Sequence, residues 1–451
     1  MKIKNLTFSN LIFAGISVST IFILIYNILH FNPILGYDAV AHFDYINYFS
    51  RYLPRDFRLP PQGETREFFN PPLGYIIPSF AQVLCRNIID SSNYLIDCQP
   101  FYGKVTQIFQ SLMYVATIII NLYTLKIFNN SKNIFNVSYL ILISLLAVNY
   151  RTISMIRGEP YILFFLSLFL LLIHKHEQNK FELNIKYIFL TGLVIGGIAL
   201  SRQWGFLLFL PLIVLLFSNF NYKYFRLWSL SAFVGAIFSG WFYINLYTLY
   251  GTFTPFNLKS PGFSFSNQRL TFYFPSSEQL EYLFYKPIRP HLDNQFLSIL
   301  YSDLWGDYWG YFTFTSKHLD MGRNQLLIGD YFARVNMVSI ITTSLLIFFY
   351  IRAYKVYKSK LIVQYINLSV ICSFFGYLIF AISYPDWTGD SIKSTYIIQL
   401  FHLIVFLAAI YFQEIEKFNK KLYNILLTAL VVIYIHNFQT FLSHFPMNFY
   451  P

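Results

Sequence analysis

The sequence predicts an all-α polytopic membrane protein with about eleven transmembrane helices and two large outer loops. Three observations predict it. Of 451 residues, 56% are hydrophobic and only 12% charged, against about 25% charged in an ordinary soluble domain. Eleven apolar runs approach the roughly 20 residues that a bilayer's hydrocarbon core demands of a helix. The basic residues between these runs fall almost entirely on alternate loops, as the positive-inside rule expects. Phe, Tyr and Trp reach 21%, which suits a surface that lies largely in lipid or at its edge. This composition excludes a disordered chain and argues against a soluble enzyme.

The apolar runs are 10–31, 105–125, 134–150, 160–173, 185–201, 204–219, 227–249, 333–351, 361–383, 395–412 and 422–440. Three of them, 134–150, 160–173 and 204–219, are short for a span. The first follows Met-Lys-Ile-Lys and carries no small-residue cleavage site, so it reads as a retained anchor. With the N-terminus inside, the inner segments hold Lys2, Lys4, Lys126, Lys132, Lys175, Lys180, Lys186, Lys223, Arg226, Arg352, Lys355, Lys358, Lys360, Lys417, Lys420 and Lys421. The short outer loops hold only Arg151, Arg157, Arg202 and Lys393. That bias sets the orientation and puts the C-terminus outside. It also accounts for the net charge of +12 as topology rather than as a nucleic-acid surface.

The chain therefore reads as one integral membrane domain, 1–451, with outer loops at 32–104 and 250–332. Loops of that length are usually functional. Inside the first lies an apolar stretch, Pro71–Cys85, with prolines at 71, 72 and 78. Treating it as a span would invert every later loop, so it reads as an interfacial or re-entrant helix. Three cysteines supply neither a disulfide scaffold nor a zinc ribbon. Cys85 and Cys98 share the first outer loop and are either a disulfide, in an oxidising compartment, or two free thiols. Cys372 reads as a small apolar residue within a span. No internal repeat, phosphate loop, nucleotide fingerprint or zinc spacing is present.

Ionisable residues close behind a span are site candidates. The first outer loop opens "GYDAVAHFDYINYF", with Asp38, His42 and Asp44. Positions 38 and 42 are one helical turn apart; the alternative is a polar helix start with Asp38 as N-cap. Glu159 precedes Pro160 at a span start, as a second carboxylate on the same side or as a helix-terminal acid. Arg157, Arg202 and Lys393 break the inside bias. They are phosphate-binding cations, with Arg offering a bidentate fork, or interfacial snorkelling residues. In "SDLWGDYWGYFTF", Trp305, Asp307, Trp309 and Tyr311 interleave aromatics with acid, which suits sugar stacking or bilayer anchoring.

The order of these pieces resembles the GT-C superfamily of integral membrane glycosyltransferases. The nearest branch is the protein-O-mannosyltransferase-like group (family 39), which includes the aminoarabinose transferase acting on lipid A. The resemblance rests on "YDAVAHFDYI", "FFNPPLGYI", "GEPYILF" and "GDSIKSTY", in order along most of the chain. It implies a polyprenyl- or dolichyl-phosphate sugar donor and inverting transfer on the outer face. The acceptor would be a hydroxyl or phosphate on a lipid, glycan or protein. By the same resemblance Asp38 would be the general base and Glu159 the second-loop acid. Lys393, and less closely Arg202, would lie near the lipid phosphate. His42, Asp44, Arg157, Trp305, Asp307 and Trp309 complete the substrate-binding candidates. The family often has a second acid directly after the first, where this chain has Ala39; a divalent metal stays open. The resemblance favours a bacterial plasma membrane, with the endoplasmic reticulum as the alternative. A flippase of lipid-linked sugars and a lipid-linked glycan ligase or polymerase are the competing classes. Transporters tend to carry midplane sites in repeated halves, which this sequence lacks.

Overall fold

A computed structural model describes residues 8–33, 35–89, 93–131, 133–218, 221–313 and 322–443, without the side chains of 322–327. Lys2, Lys4 and Lys132 of the expected charge pattern, the Met-Lys-Ile-Lys start and Phe314 lie outside the described residues. Among the described residues every regular element is helical. That is the arrangement a lipid-embedded backbone requires, since each helix satisfies its own N–H and C=O groups.

Among the described residues, seven helices are long and apolar enough to cross a membrane: Phe8–His30, Tyr94–Phe128, Glu159–Gln178, Tyr222–Tyr250, Ile328–Tyr357, Leu361–Ser383 and Ser394–Phe418. The expected run 134–150 is a broken pair, Val137–Ser144 and Ala147–Ser154, bent by 66°. The bend frees carbonyls, and polar side chains satisfy them. The Asn149 amide donates to Ile143 O at 2.9 Å, and the Tyr150 hydroxyl donates to Ser144 O at 3.2 Å. Ile185–Ser201 and Gln203–Ser218 are shorter apolar helices, and Lys420–His436 has 17 residues. The stretch Pro71–Cys85 is realised as the separate helix Leu73–Ile88. It buries Tyr75, Ser79 and Gln82, and it exposes Phe80, Leu84 and Ile88.

Among the described residues, four asparagines cap the helices they start through their side chains. Asn136, Asn184, Asn221 and Asn419 each accept a backbone N–H from the first turn of the helix that follows. Such caps satisfy donors that helix geometry leaves unpaired.

The chain divides into two compact units. The terminal unit comprises Met1–Phe31, Asn121–Arg151 and Ser260–Pro451; the medial unit comprises Asn32–Ile120 and Thr152–Lys259. The expected first loop, 32–104, falls wholly in the medial unit. The second, 250–332, is shared at residue 260. In the terminal unit, Asn27 joins the first helix to the last described segment: its amide donates to Phe441 O at 2.8 Å, and its oxygen accepts Ser443 N–H at 2.8 Å. In the medial unit, Ile185–Ser201 lies along Tyr222–Tyr250. A Cβ at Gly192 would stand 2.5 Å from Val234, so glycine permits the close helix approach that membrane packing favours. Cys85 and Cys98 form a disulfide within an apolar cluster that includes Phe43, Phe49 and Tyr102. Cys372 is free.

Candidate functional site

In the medial unit the helix Ala39–Tyr52 begins at Asp38. This residue takes a left-handed backbone, φ 54°, and its side chain makes no capping bond. The N-cap alternative is therefore not what the carboxylate does. A non-glycine residue held in that region costs of order 1–3 kcal/mol and recurs at functional sites, although Asp tolerates it better than most. The Asp38 side chain is exposed.

Behind it lies a buried network. Glu67, Arg157, Glu159 and Arg202 are all at most 4% exposed. Arg202 Nη1 is 3.1 Å from Glu67 Oε2, and Arg202 Nε is 3.4 Å from Glu159 Oε1. Arg202 occupies the extended break after Ile185–Ser201, which brings its guanidinium to both carboxylates. Glu159 opens its helix beside Pro160. Arg157 donates to Tyr37 O at 3.0 Å and lies over the Tyr37 ring. Gly158 makes the turn between Arg157 and Glu159 fit: a Cβ there would come within 2.2 Å of Ser201 O.

Glu67 is also hydrogen-bonded by the Asn70 amide. Burial pushes the Glu67 carboxyl above its ordinary 4.5; Arg202 opposes that rise, and Asp38 adds to it. Asn70 reaches Tyr75 OH at 3.2 Å. That hydroxyl is 2.7 Å from His42 Nδ1, and the Tyr75 ring stacks on Tyr45 at 3.8 Å. Thr65 Oγ1 donates to Ala41 O at 2.6 Å and so fastens the segment carrying Glu67 to the helix that Asp38 starts. Asp44 stands apart and exposed; partial burial raises its pKa, with Arg51 opposing and Glu64 adding.

The structure thus groups Asp38, Arg157, Glu159 and Arg202, and links His42 to them through Tyr75, Asn70 and Glu67. Glu67 had not been singled out in the sequence. Its signal was an acid placed directly before "FFNPPLGY". Among the described residues no group of three or more His, Cys, Asp or Glu could hold a metal ion.

The terminal unit holds the remaining candidates. Lys393 Nζ is 3.4 Å from Asp390 Oδ1, 5.9 Å from the Trp309 ring centre and 5.5 Å from that of Tyr396. Trp309 Nε1 donates to Ile392 O at 3.0 Å. Asp307 accepts the backbone N–H groups of Phe312 and Thr313, both at 2.8 Å. Burial raises its pKa against the pull of Arg151 and those two bonds. Trp305 is buried on the wall of an apolar cavity of about 480 Å³, with Leu400, Phe401 and Ile404. The aromatic faces expected to stack on a sugar are thus turned inward: Trp305 to this cavity and Trp309 towards Lys393.

Arg151, which the sequence marks only as a basic residue out of pattern, is the hub here. It is fully buried and lies 3.0 Å from Asp303 Oδ1 and 3.7 Å from Asp307 Oδ1. It also donates to Gly306 O at 2.6 Å. Asp303 Oδ2 in turn accepts from Ser394 N at 2.8 Å and Ser394 Oγ at 2.6 Å. Asp303, with Arg151 Nη2 donating to Ser394 Oγ at 3.2 Å, thereby fixes the residue next to Lys393.

The described residues form an all-helical protein whose seven long apolar helices are consistent with a multi-pass membrane protein, with a buried carboxylate–guanidinium network in one unit and an aromatic-flanked lysine in the other. No protein-family model and no curated protein matches the chain.

Proposed function

We propose that the protein is a membrane glycosyltransferase. It moves a monosaccharide from a polyprenyl- or dolichyl-phosphate to an acceptor hydroxyl or phosphate on the non-cytoplasmic face, with inversion. The reading includes eleven spans and a cytoplasmic N-terminus: the seven long helices, the bent pair, and the helices Ile185–Ser201, Gln203–Ser218 and Lys420–His436.

The observation that carries it lies within the terminal unit. The span Ser394–Phe418 begins next to a buried ammonium, Lys393, and lower down its residues Leu400, Phe401 and Ile404 line an apolar cavity of about 480 Å³. Three other lining residues, Leu280, Leu297 and Ile347, are exposed, so the cavity opens sideways onto an apolar surface. A cation at the helix end with an apolar recess along the same helix suits an amphiphile: a phosphate head on an aliphatic chain. Ligand pockets commonly enclose about 300–1,000 Å³.

In this reading Lys393 stabilises charge growing on the leaving phosphate. The acceptor oxygen attacks the anomeric carbon and forms the new glycosidic bond. The bond from that carbon to the phosphate oxygen breaks, and its electron pair leaves on the lipid phosphate. The acceptor proton goes to the Asp38 carboxylate, a base for which about 10²–10⁴-fold is typical. Glu67, Glu159 and Arg202 hold the surroundings of Asp38 rigid and nearly charge-balanced. Arg202 acts there as a counter-ion to carboxylates.

The test is a lipid-phosphate sugar, radiolabelled in the sugar, incubated with membranes containing wild-type or Asp38→Asn protein. Release of polyprenyl phosphate by the wild type, and its loss in the variant with donor binding intact, is expected. Full activity in Asp38→Asn removes that residue as base. Movement of intact donor across the bilayer without release makes the protein a flippase.

A further inference from the structure

Lys393 and Asp390 form an unequal pair. The lysine side chain is 4% exposed and the aspartate 57%. The lysine is also immobilised through its backbone. Its N–H donates to the Tyr377 hydroxyl at 2.6 Å, which itself donates to Ser391 O at 2.8 Å. On one side Ile392 O is held by Trp309; on the other Ser394 is held by Asp303. Asp390 is also tied through its backbone, but not through its side chain's surroundings. Its backbone N–H reaches Asp386 Oδ2 at 3.1 Å, but its carboxylate stands in solvent and turns on two torsions.

If an anion approaches the ammonium, the carboxylate is therefore the partner that yields. A sugar phosphodiester carries one charge, as the carboxylate does. The free lipid phosphate left after transfer is a monoester and carries about −1.5 to −2 near pH 7. It is the species Lys393 holds most strongly, and so the species most in need of a competitor.

We propose that Asp390 is a displaceable counter-ion that competes with lipid phosphate for Lys393 and thereby sets how readily the spent carrier leaves. The inference rests on the proposed reading of Lys393 as the phosphate-binding cation. Competition lowers affinity for every anion by one common factor, so the tightly held product is released more readily.

The test is direct binding, independent of turnover. Undecaprenyl phosphate and the uncharged undecaprenol are titrated against wild-type, Asp390→Asn and Lys393→Gln protein in nanodiscs. Asp390→Asn is expected to bind undecaprenyl phosphate about two- to five-fold more tightly, the scale of a partly exposed ion pair. Lys393→Gln is expected to bind it more weakly than wild type, and undecaprenol is expected to bind all three alike. Equal or weaker phosphate binding by Asp390→Asn, with Lys393→Gln still impaired, overturns the inference and leaves the lysine assignment standing. So does an equal gain for undecaprenol, because the effect is then not one of charge. Unchanged binding by Lys393→Gln overturns the lysine assignment itself, and the inference with it.

Discussion

Replacing Arg202 by methionine tests what holds the carboxylate network together. Methionine keeps most of the side chain's apolar length and removes the charge. Two buried carboxylates, Glu67 at 3.1 Å and Glu159 at 3.4 Å, then lose their guanidinium. Breaking a buried pair from one side costs about 3–5 kcal/mol, roughly two to four powers of ten in the unfolding equilibrium. The molecule has one relief. Burial already raises the Glu67 pKa, and Arg202 is the main influence holding it down. Without Arg202 the Glu67 carboxyl binds its proton at higher pH, so the penalty shrinks as pH falls. The assay is unfolding by sodium dodecyl sulfate titration in mixed micelles, near pH 8 and again near pH 5.5, for wild type, Arg202→Met, Glu67→Gln and the double variant. Arg202→Met is expected to lose about 3 kcal/mol or more at the higher pH and less at the lower. The double variant should be more stable than the sum of the single losses allows, by about 0.5–3 kcal/mol. An Arg202→Met protein as stable as wild type, or single losses that simply add, refutes the account.

Four further outcomes follow from the contacts of the two networks. Gly158→Ala forces a Cβ to within 2.2 Å of Ser201 O. The backbone must move, at about 1–3 kcal/mol, read as a lower thermal midpoint and a weakened Arg202–Glu159 pair. Arg151→Met strands Asp303 and Asp307 and should cost about 3–5 kcal/mol in the same titration. Asp303→Asn keeps an acceptor for Ser394 and is expected to cost less. For Glu67 the sign runs as linkage requires. Its folded pKa lies above the ordinary 4.5, so between the two values the folded state binds more protons than the unfolded. Its contribution to stability is full below about pH 4.5 and falls as pH rises through the folded value. The wild-type minus Glu67→Gln difference in unfolding free energy should decline over that window; a difference that grows with pH contradicts the shift.

Much of the helical framework was legible because lipid imposes a strong pattern. Length and apolarity identify Phe8–His30, Leu361–Ser383 and Ser394–Phe418 with little ambiguity. Local polar chemistry was harder to read. The break at 144–147 depends on Asn149 and Tyr150 reaching back to particular carbonyls, a matter of three-dimensional placement that hydropathy does not record. The medial site was half visible. Asp38, Arg157, Glu159 and Arg202 each stand out as charges in unusual places. Glu67 lies in a loop where an acid is unremarkable, and only its burial beside Arg202 makes it special. In the terminal unit, the Trp-rich stretch drew attention to Trp305, Asp307 and Trp309. The residue that organises the stretch, Arg151, is more than 150 positions away in the chain. The bond between Cys85 and Cys98 was open from sequence because spacing alone does not bring sulfurs together; here the two helices around the cysteines do.

The fastening of the first helix has a consequence for biosynthesis. Ser19 meets the Tyr434 hydroxyl at 2.9 Å across 415 positions, and Asn27 waits equally long for Phe441. Translation runs from the N-terminus, so this helix can meet Val137–Ser144, where Thr20 Oγ1 lies 3.2 Å from Ser144 Oγ, long before Tyr434 and Phe441 are made. The medial unit, whose last segment ends at Lys259, is fully synthesised long before then. Nascent chains arrested after that residue should therefore hold a formed carboxylate network while Ser19 and Asn27 still lack Tyr434 and Phe441.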